Sequence, residues 1–332
     1  MNIKEVACKA GVSVATVSRV LNKSEKVSFE TEKKVRAVIK KMNYFPNINA
    51  KILRENRSKV ILICVPDITN IIYSQIIKGV LDYLKRNGYS GMIHIPHNKF
   101  DRRYSGADDI KEYIYFLETK KIDGIIFITS SINQQDYVEL NRKYNVMTCS
   151  EYYDDDTLET VGIDQSEAMY RLIRYLYEIK KVEKPVYYTW KDPTGTSKRR
   201  LAGYIKYLKE KNIKNVKKFY KKMDSKKTSI FLEQFKKELE NNMEIDAIIL
   251  NSDFYAVFAE KIIKKLNREI LVASFDGTQL LDMALSKIVH IKQPFEKMGE
   301  KSAEALLKKM EGKKFEKKIY LKYDLIDEEK LK

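Results

Sequence analysis

The side chains with the most obvious chemistry lie near the start of the chain, in the run GVSVATVSRVLN over residues 11–22. Ser13 suits the N-cap of a helix, where its hydroxyl accepts from a free backbone N–H of the first turn. Val17, Val20 and Leu21 then share one stripe at helical spacing. Val14, Ala15, Ser18 and Arg19 fall on the opposite face, which is small enough for a large flat partner to approach. The guanidinium fork of Arg19 matches the major-groove edge of guanine. Ser13, Val14, Ala15, Thr16, Ser18, Arg19 and Asn22 are therefore the candidate nucleic-acid contacts. A second polar set ends apolar runs further on: Asp67 and Asn70, Thr129 and Ser130, Ser150 and Glu151, Asp164, Trp190, Asn251 to Asp253, and Asp276. In open α/β sheets ligands bind beyond the strand C-termini, so these residues are candidates for one cleft. No Gly-x-Ser-x-Gly elbow, phosphate-binding Walker loop or Gly-x-Gly-x-x-Gly occurs, and no enzyme chemistry or cofactor is expected. His94 and His97 are three apart, but Pro96 lies between them and no carboxylate or cysteine cluster adjoins them in sequence, so no metal is expected.

The elements that must position the first set are short helices. Ile3–Ala10 reads as a helix opened by the Asn2 and Glu5 capping spacing, and Gly11 gives a tight turn into the small-faced helix. Helix, glycine turn and small-faced helix make a helix-turn-helix pattern. A third helix follows Ser28, with Glu30 and Glu32 at its positive end and Val35, Val38, Ile39 and Met42 as its apolar stripe. Pro46 closes the group. Residues 47–59 read as a linker, in which Asn47 could cap a short helix carrying Ile48, Ile52 and Leu53. Alone, such a helix is too short to be stable. From residue 60 the pattern alternates. Continuous apolar strands, such as Val60–Pro66 and Ile122–Thr129, are separated by amphipathic helices, such as Ile71–Asn87 and 294–311. A further strand is expected at 215–221, a strand or pair of strands at 315–326, and a short helix near 279–285. This is the pattern of parallel sheets covered on both faces, with too many strands for one sheet. The expected fold is a small all-α head followed by an α/β core of two doubly wound parallel-sheet lobes.

The 332 residues suit two or three domains, and no apolar run is long enough for a membrane span. The chain opens on a polar helix, so no signal peptide is expected. Cys8, Cys64 and Cys149 are odd in number and far apart, and they read as buried small apolar residues in a reducing cytoplasm. Residues 1–59 hold fourteen Lys and Arg against five Asp and Glu, more than half of the net +17 of the whole chain. That concentration favours a nucleic-acid partner for the head.

The opening IKEVACKAGVSVATVSRVLN resembles that of the lactose-repressor (LacI/GalR) family of bacterial regulators. The resemblance continues through YFPNINAKILR, VPDITN, SKRRLAGYIKYL, LNSDFYA, VASFDGTQL and IKQPFEKMG, and so covers essentially the whole chain. It implies a periplasmic-binding-protein-like core with three chain crossings between the lobes. It also implies a hinge helix in which Leu53 wedges into the minor groove and kinks operator DNA. Ile48, Asn49 and Ile52 depart from the small residues common there. The implied division is 1–46 for the head, 47–59 for hinge helix and linker, and 60–332 for the sensing core. Within the core, the N-lobe takes about 60–160 and 291–320, and the C-lobe about 161–290 and 321–332. Arg200 and Asp276 take effector-binding positions, a donor fork and an acceptor suited to a hydroxyl-rich ligand. Each then needs a partner, such as water, when the cleft is empty. The full implied effector set is Asp67, Asn70, Ser130, Trp190, Arg200, Ser252 and Asp276. Ser252 replaces the usual Asn and Gly277 a frequent Asp. The expectation is a cytoplasmic regulator, a repressor, bound as a homodimer to a palindromic operator and modulated by a sugar or nucleoside. The alternative is a catabolite-control type of regulator whose core answers to a phosphorylated carrier protein.

Overall fold

The computed structural model describes residues 2–21, 26–45, 56–96, 106–129, 132–153, 155, 157–191, 194–223 and 228–327. The chain forms two compact units, Met1–Ser58 and Lys59–Lys332. The first unit is three helices, α1 (Ile3–Ala10), α2 (Val14–Leu21) and α3 (Phe29–Lys41). Asn2 caps α1 by accepting from the Lys4 and Glu5 amides, and Ser28 caps α3 by accepting from Thr31. Gly11 ends α1 at φ 61°, ψ 38°, a left-handed conformation that glycine adopts without a Cβ penalty. Val6, Ala7, Ala10, Val17, Val20 and Val35 close the core of the unit, with Met42 and Tyr44 beneath them. Of the expected hinge and linker, 47–59, residues 47–55 with Leu53 among them lie outside the described residues.

The second unit holds two six-stranded sheets. The first contains β1 (Val60–Cys64), β2 (Ser90–His94), β3 (Gly124–Ile128), β4 (Val146–Cys149), β5 (Thr160–Gly162) and β11 (Lys318–Tyr320), all parallel, in the order β11-β5-β4-β3-β1-β2. The second contains β6 (Pro185–Trp190), β7 (Tyr220–Met223), β8 (Ala247–Leu250), β9 (Leu271–Asp276), β10 (Val289–Lys292) and β12 (Asp324–Ile326), in the order β12-β10-β9-β8-β6-β7. Only β12 runs antiparallel to its neighbour. Central strands such as Ile61–Cys64 and Gly124–Ile128 are buried throughout, because helices cover both faces. On the first sheet α4 (Ile71–Arg86) and α11 (Phe295–Met310) cover one face, and α5 (Gly106–Glu118) and α6 (Gln134–Lys143) the other. On the second, α7 (Gln165–Glu178) and α8 (Gly195–Glu210) face α9 (Thr228–Asn241) and α10 (Asp253–Lys265) across the strands. The chain passes between the sheets three times, at 163–164, 293–294 and 321–323.

The helix pairs approach closely. A Cβ on Gly79 of α4 would stand 1.9 Å from the Glu296 carbonyl, and one on Gly299 of α11 would stand 2.0 Å from the Ile76 carbonyl. Gly203 of α8 meets the Ser166 carbonyl of α7 in the same way, at 2.0 Å. Two expectations need correction. Residues 215–221 are not one strand: Asn215 turns left-handed, Val216–Phe219 form a 3-10 turn, and β7 begins only at Tyr220. Val216 and Phe219 of that turn pack against the second core. Of the strand or pair of strands expected at 315–326 the pair forms, one strand for each sheet. Cys8 is exposed, since Val6, Ala7 and Ala10 supply the inward face of α1, while Cys64 and Cys149 are buried.

Candidate functional site

The head presents α2 as the sequence pattern requires. Ser13 accepts from the Thr16 amide at 3.1 Å and shares a second hydrogen bond with the Thr16 hydroxyl, which fixes the start of the helix. Val17 and Val20 are buried, so Val14, Ala15 and Arg19 face solvent and Ser18 is half-buried. Asn22 lies outside the described residues.

In the core, Arg200 of α8 and Asp276 at the end of β9 come together. They are 5% and 3% exposed, and Arg200 Nη2 stands 3.6 Å from Asp276 Oδ1. Arg200 also donates through Nε to Gln165 Oε1 and through Nη1 to the Asn251 carbonyl, both at 2.7 Å. Its guanidinium lies 4.1 Å from the Phe275 ring centre, a cation–π contact. Gln165 Nε2 donates to Gln293 Oε1, and Gln293 Nε2 donates to Asp276 Oδ1. The four side chains thus close a ring. Gln165 and Gln293 stand beside the first two chain crossings, so the ring joins the charged pair to those crossings. The expectation that water would hold Arg200 and Asp276 is replaced by these direct partners. Asp276 has φ 106°, a strained value for a residue with a Cβ. Burial pushes its carboxyl up to about 7, Arg200 pulls it down, and the neighbouring Asp253 adds to the rise. Asp253 is itself buried and accepts from Ser274 and from the amide and hydroxyl of Thr278.

Around this ring the sequence candidates divide. Glu151 is buried, and its carboxylate, with those of Asp276 and Asp67, acts on the hydroxyl of Tyr73 in α4, whose pKa burial has already raised. Asn251 accepts from the Tyr187 hydroxyl, but its Nδ2 is buried without a hydrogen-bond partner. Asn70, Asp164 and Ser252 instead cap α4, α7 and α10. Asp67 accepts from Thr69 in its own turn. Trp190 is half-buried and packs edge-on against Phe231 and Tyr255, at 5.9 and 5.0 Å. Ser130 lies outside the described residues. Tyr73, Gln165 and Gln293 were not among the sequence candidates. A run of residues gives no sign that positions 165 and 293 will touch, although Gln293 sits within the IKQPFEKMG stretch. His94 has neighbours that its sequence context hid: Asp109 and Glu112 of α5 bring ligand-type atoms within 4.8 Å of it and of each other. His97 lies outside the described residues.

Comparison with known proteins decides the family. Residues 2–47 match the model described as bacterial regulatory proteins, lacI family, and residues 58–319 match periplasmic binding proteins and sugar binding domain of LacI family. The chain belongs to the LacI family. It is a helix-turn-helix transcriptional regulator. Among LacI-family relatives, the regulator RegA of Clostridium saccharobutylicum is 32% identical over 99% of this chain and 98% of its own. MalR of Clostridium butyricum is 30% identical over 98% of each chain. The sucrose operon repressor of Lactococcus lactis subsp. lactis is 26% identical over 94% of each. The lac repressor dimer bound to operator and an anti-inducer shares the fold, with a TM-score of 0.86 at 21% identity over 98% of both chains. The regulator CelR in complex with cellobiose shares it with a TM-score of 0.70 at 20% identity, again over 98% of both.

Proposed function

We propose that this LacI-family regulator represses a sugar-utilisation operon as a homodimer on a two-fold operator, and that a sugar in the cleft changes its grip on DNA. The supporting observation is the ring of Arg200, Gln165, Gln293 and Asp276. A ligand that uses the fork of Arg200 and the acceptor of Asp276 must exchange bonds with this ring. Gln165 and Gln293 then feel the exchange beside the chain crossings. That gives the ligand a differential affinity for two lobe arrangements, which any such switch requires. In the head, Ser13, Val14, Ala15, Thr16, Ser18, Arg19 and Asn22 contact the operator, and Leu53 wedges its centre, as the family resemblance implies. The relatives' names, with a sucrose operon repressor and a ribose operon repressor among them, support sugar as the effector class. None of the described helices is long and apolar enough to cross a membrane, and action on DNA places the protein in the cytoplasm in this reading. It works by binding, not by catalysis.

The test is operator affinity with and without each of a panel of sugars, for the wild type and Arg200→Ala. The wild type should shift with one sugar by about 1–3 kcal/mol, the usual size of allosteric coupling. Arg200→Ala should bind operator alike and lose the shift. An undiminished response in the variant removes Arg200 from the sensor. A response obtained with sugar and purified regulator alone also separates this reading from control by a phosphorylated carrier protein.

A further inference from the structure

We infer that the core binds a divalent transition-metal ion on its first sheet, through His94, Asp109 and Glu112, none of which belongs to the Arg200 ring. The ligands come from two elements. His94 is the last residue of the edge strand β2, and Asp109 and Glu112 lie three apart on α5, so both carboxylates fall on one helix face. One ligand-type atom from each of the three stands within 4.8 Å of the other two. An imidazole nitrogen beside two carboxylate oxygens is a donor set for first-row divalent ions, whereas Mg²⁺ and Ca²⁺ take oxygen ligands.

Two observations beyond proximity point to an ion. The first is the state of His94. Its Nε2 is buried and has no hydrogen-bond partner. A buried ring nitrogen left that way is costly unless something fills the position. Asp109 Oδ1 stands 3.9 Å from it. A direct imidazolium–carboxylate bond closes to about 2.7–2.9 Å. Two ligands of one tetrahedral ion, with bonds of about 2.0–2.1 Å, stand roughly 3.3 Å apart. The observed separation is too long for the bond and a small side-chain adjustment from a shared ion. The second observation is how the ring is held. The His94 ring packs edge-on against Tyr113, with centroids 5.3 Å apart, and Tyr113 packs edge-on against Phe127 at 5.6 Å. Tyr113 is buried and follows Glu112 directly, so the wall that orients the imidazole also anchors the turn of α5 that carries the carboxylates. Supporting contacts of this kind are what a metal site needs to hold its ligands in place. Asp109 is buried and Glu112 half-buried, which leaves the Glu112 side for entry. Three protein ligands leave a position for water, as in an open site and unlike a closed structural one. The bound ion ties the end of β2 to α5 and so stabilises the first sheet.

The experiment strips the full-length protein with a chelator and titrates it calorimetrically with Zn²⁺, Co²⁺ and Mg²⁺. One Zn²⁺ should bind per chain, Mg²⁺ at equal concentration should not displace it, and saturating Zn²⁺ should raise the unfolding midpoint by several degrees. His94→Gln and Glu112→Gln should each weaken Zn²⁺ binding at least about tenfold. His290→Gln, in β10 of the second sheet, should leave it unchanged. If the wild type binds neither Zn²⁺ nor Co²⁺, the inference falls and the three residues form an ion cluster only. Binding that survives both substitutions puts the ion elsewhere and equally overturns it. Mg²⁺ binding as tight as Zn²⁺ takes the imidazole out of the ligand set, with the same result. If one variant fails to fold, the other decides. If both fail, the Co²⁺-loaded wild type should show a hyperfine-shifted imidazole proton in its NMR spectrum, and the absence of that resonance overturns the assignment.

Discussion

Arg19 and Arg200 carry the same guanidinium into opposite settings. Among the described residues no carboxylate holds Arg19, and it stands exposed on the outer face of α2. Its fork is therefore available for a base edge. Arg19→Ala should cost about 1–3 kcal/mol at one base-pair step and relax specificity there. Competition binding across single-base variants of a selected operator measures this, and a uniform loss over all positions would mark Arg19 as a phosphate contact instead. Arg200 is saturated by its neighbours, and its partner Asp276 gives the second prediction at this scale. Burial raises the Asp276 carboxyl from 3.8 to about 7. Between those values the folded chain holds a proton that the unfolded chain has lost. Stability through this group is therefore highest below the lower value, falls as pH rises through the window, and reaches its minimum above about 7. The slope for one proton is at most about 1.4 kcal/mol per pH unit. Thermal unfolding of the wild type and Asp276→Asn from pH 4 to 8 should give midpoints that decline less steeply in the variant. Parallel curves would show that Asp276 is ionised throughout.

The helix pairs of the core depend on glycine for contact. Gly299→Ala places a methyl group 2.0 Å from the Ile76 carbonyl, so α11 must lift from α4. Overpacking of this kind costs about 1–3 kcal/mol, or several degrees in the unfolding midpoint of a domain this size. An unchanged midpoint would mean that the helices slide apart freely. Most elements were legible in the sequence for simple physical reasons. Fully buried strands such as Ile61–Cys64 write themselves as unbroken apolar runs, and capped helices announce both ends. The Lys-rich edge around β7 was misread because a strand at a sheet edge carries charges that blur its period. At the site, family resemblance gave Arg200 and Asp276. Local sequence could not give Gln165 against Gln293, because no periodicity links residues brought together only by two chain crossings. Nor could it reveal that Asn70, Asp164 and Ser252 would serve as caps, since a polar residue after a strand reads alike whether it holds a ligand or its own helix.

The proposed homodimer calls for a face on the core, and each sheet layer supplies apolar residues in solvent. Ile68, Met92, Ile93 and Ile95 are exposed around the edge strand of the first sheet, and Phe254, Met283 and Leu285 beside the second. Ile93 is 47% exposed and lines a groove with Ile68, Ser74, Ile77, His94 and Ile95. Ile93→Lys should shift the protein toward monomer in sedimentation velocity and weaken operator binding more than any single head substitution, because two half-sites must be held at once. A variant that remains dimeric would move the interface elsewhere. The order of the elements along the chain has a bearing on how the molecule is made. The head closes its own core from residues 2–45. The first sheet opens at Val60 but receives its last strand at Lys318–Tyr320, and α4 waits for α11 until residues 295–310. At ordinary rates of translation the ribosome needs roughly 10–50 s to span that interval. During it the nascent chain carries a finished helix-turn-helix head on a core whose first sheet still lacks its last strand, so the two units mature at different times on the ribosome.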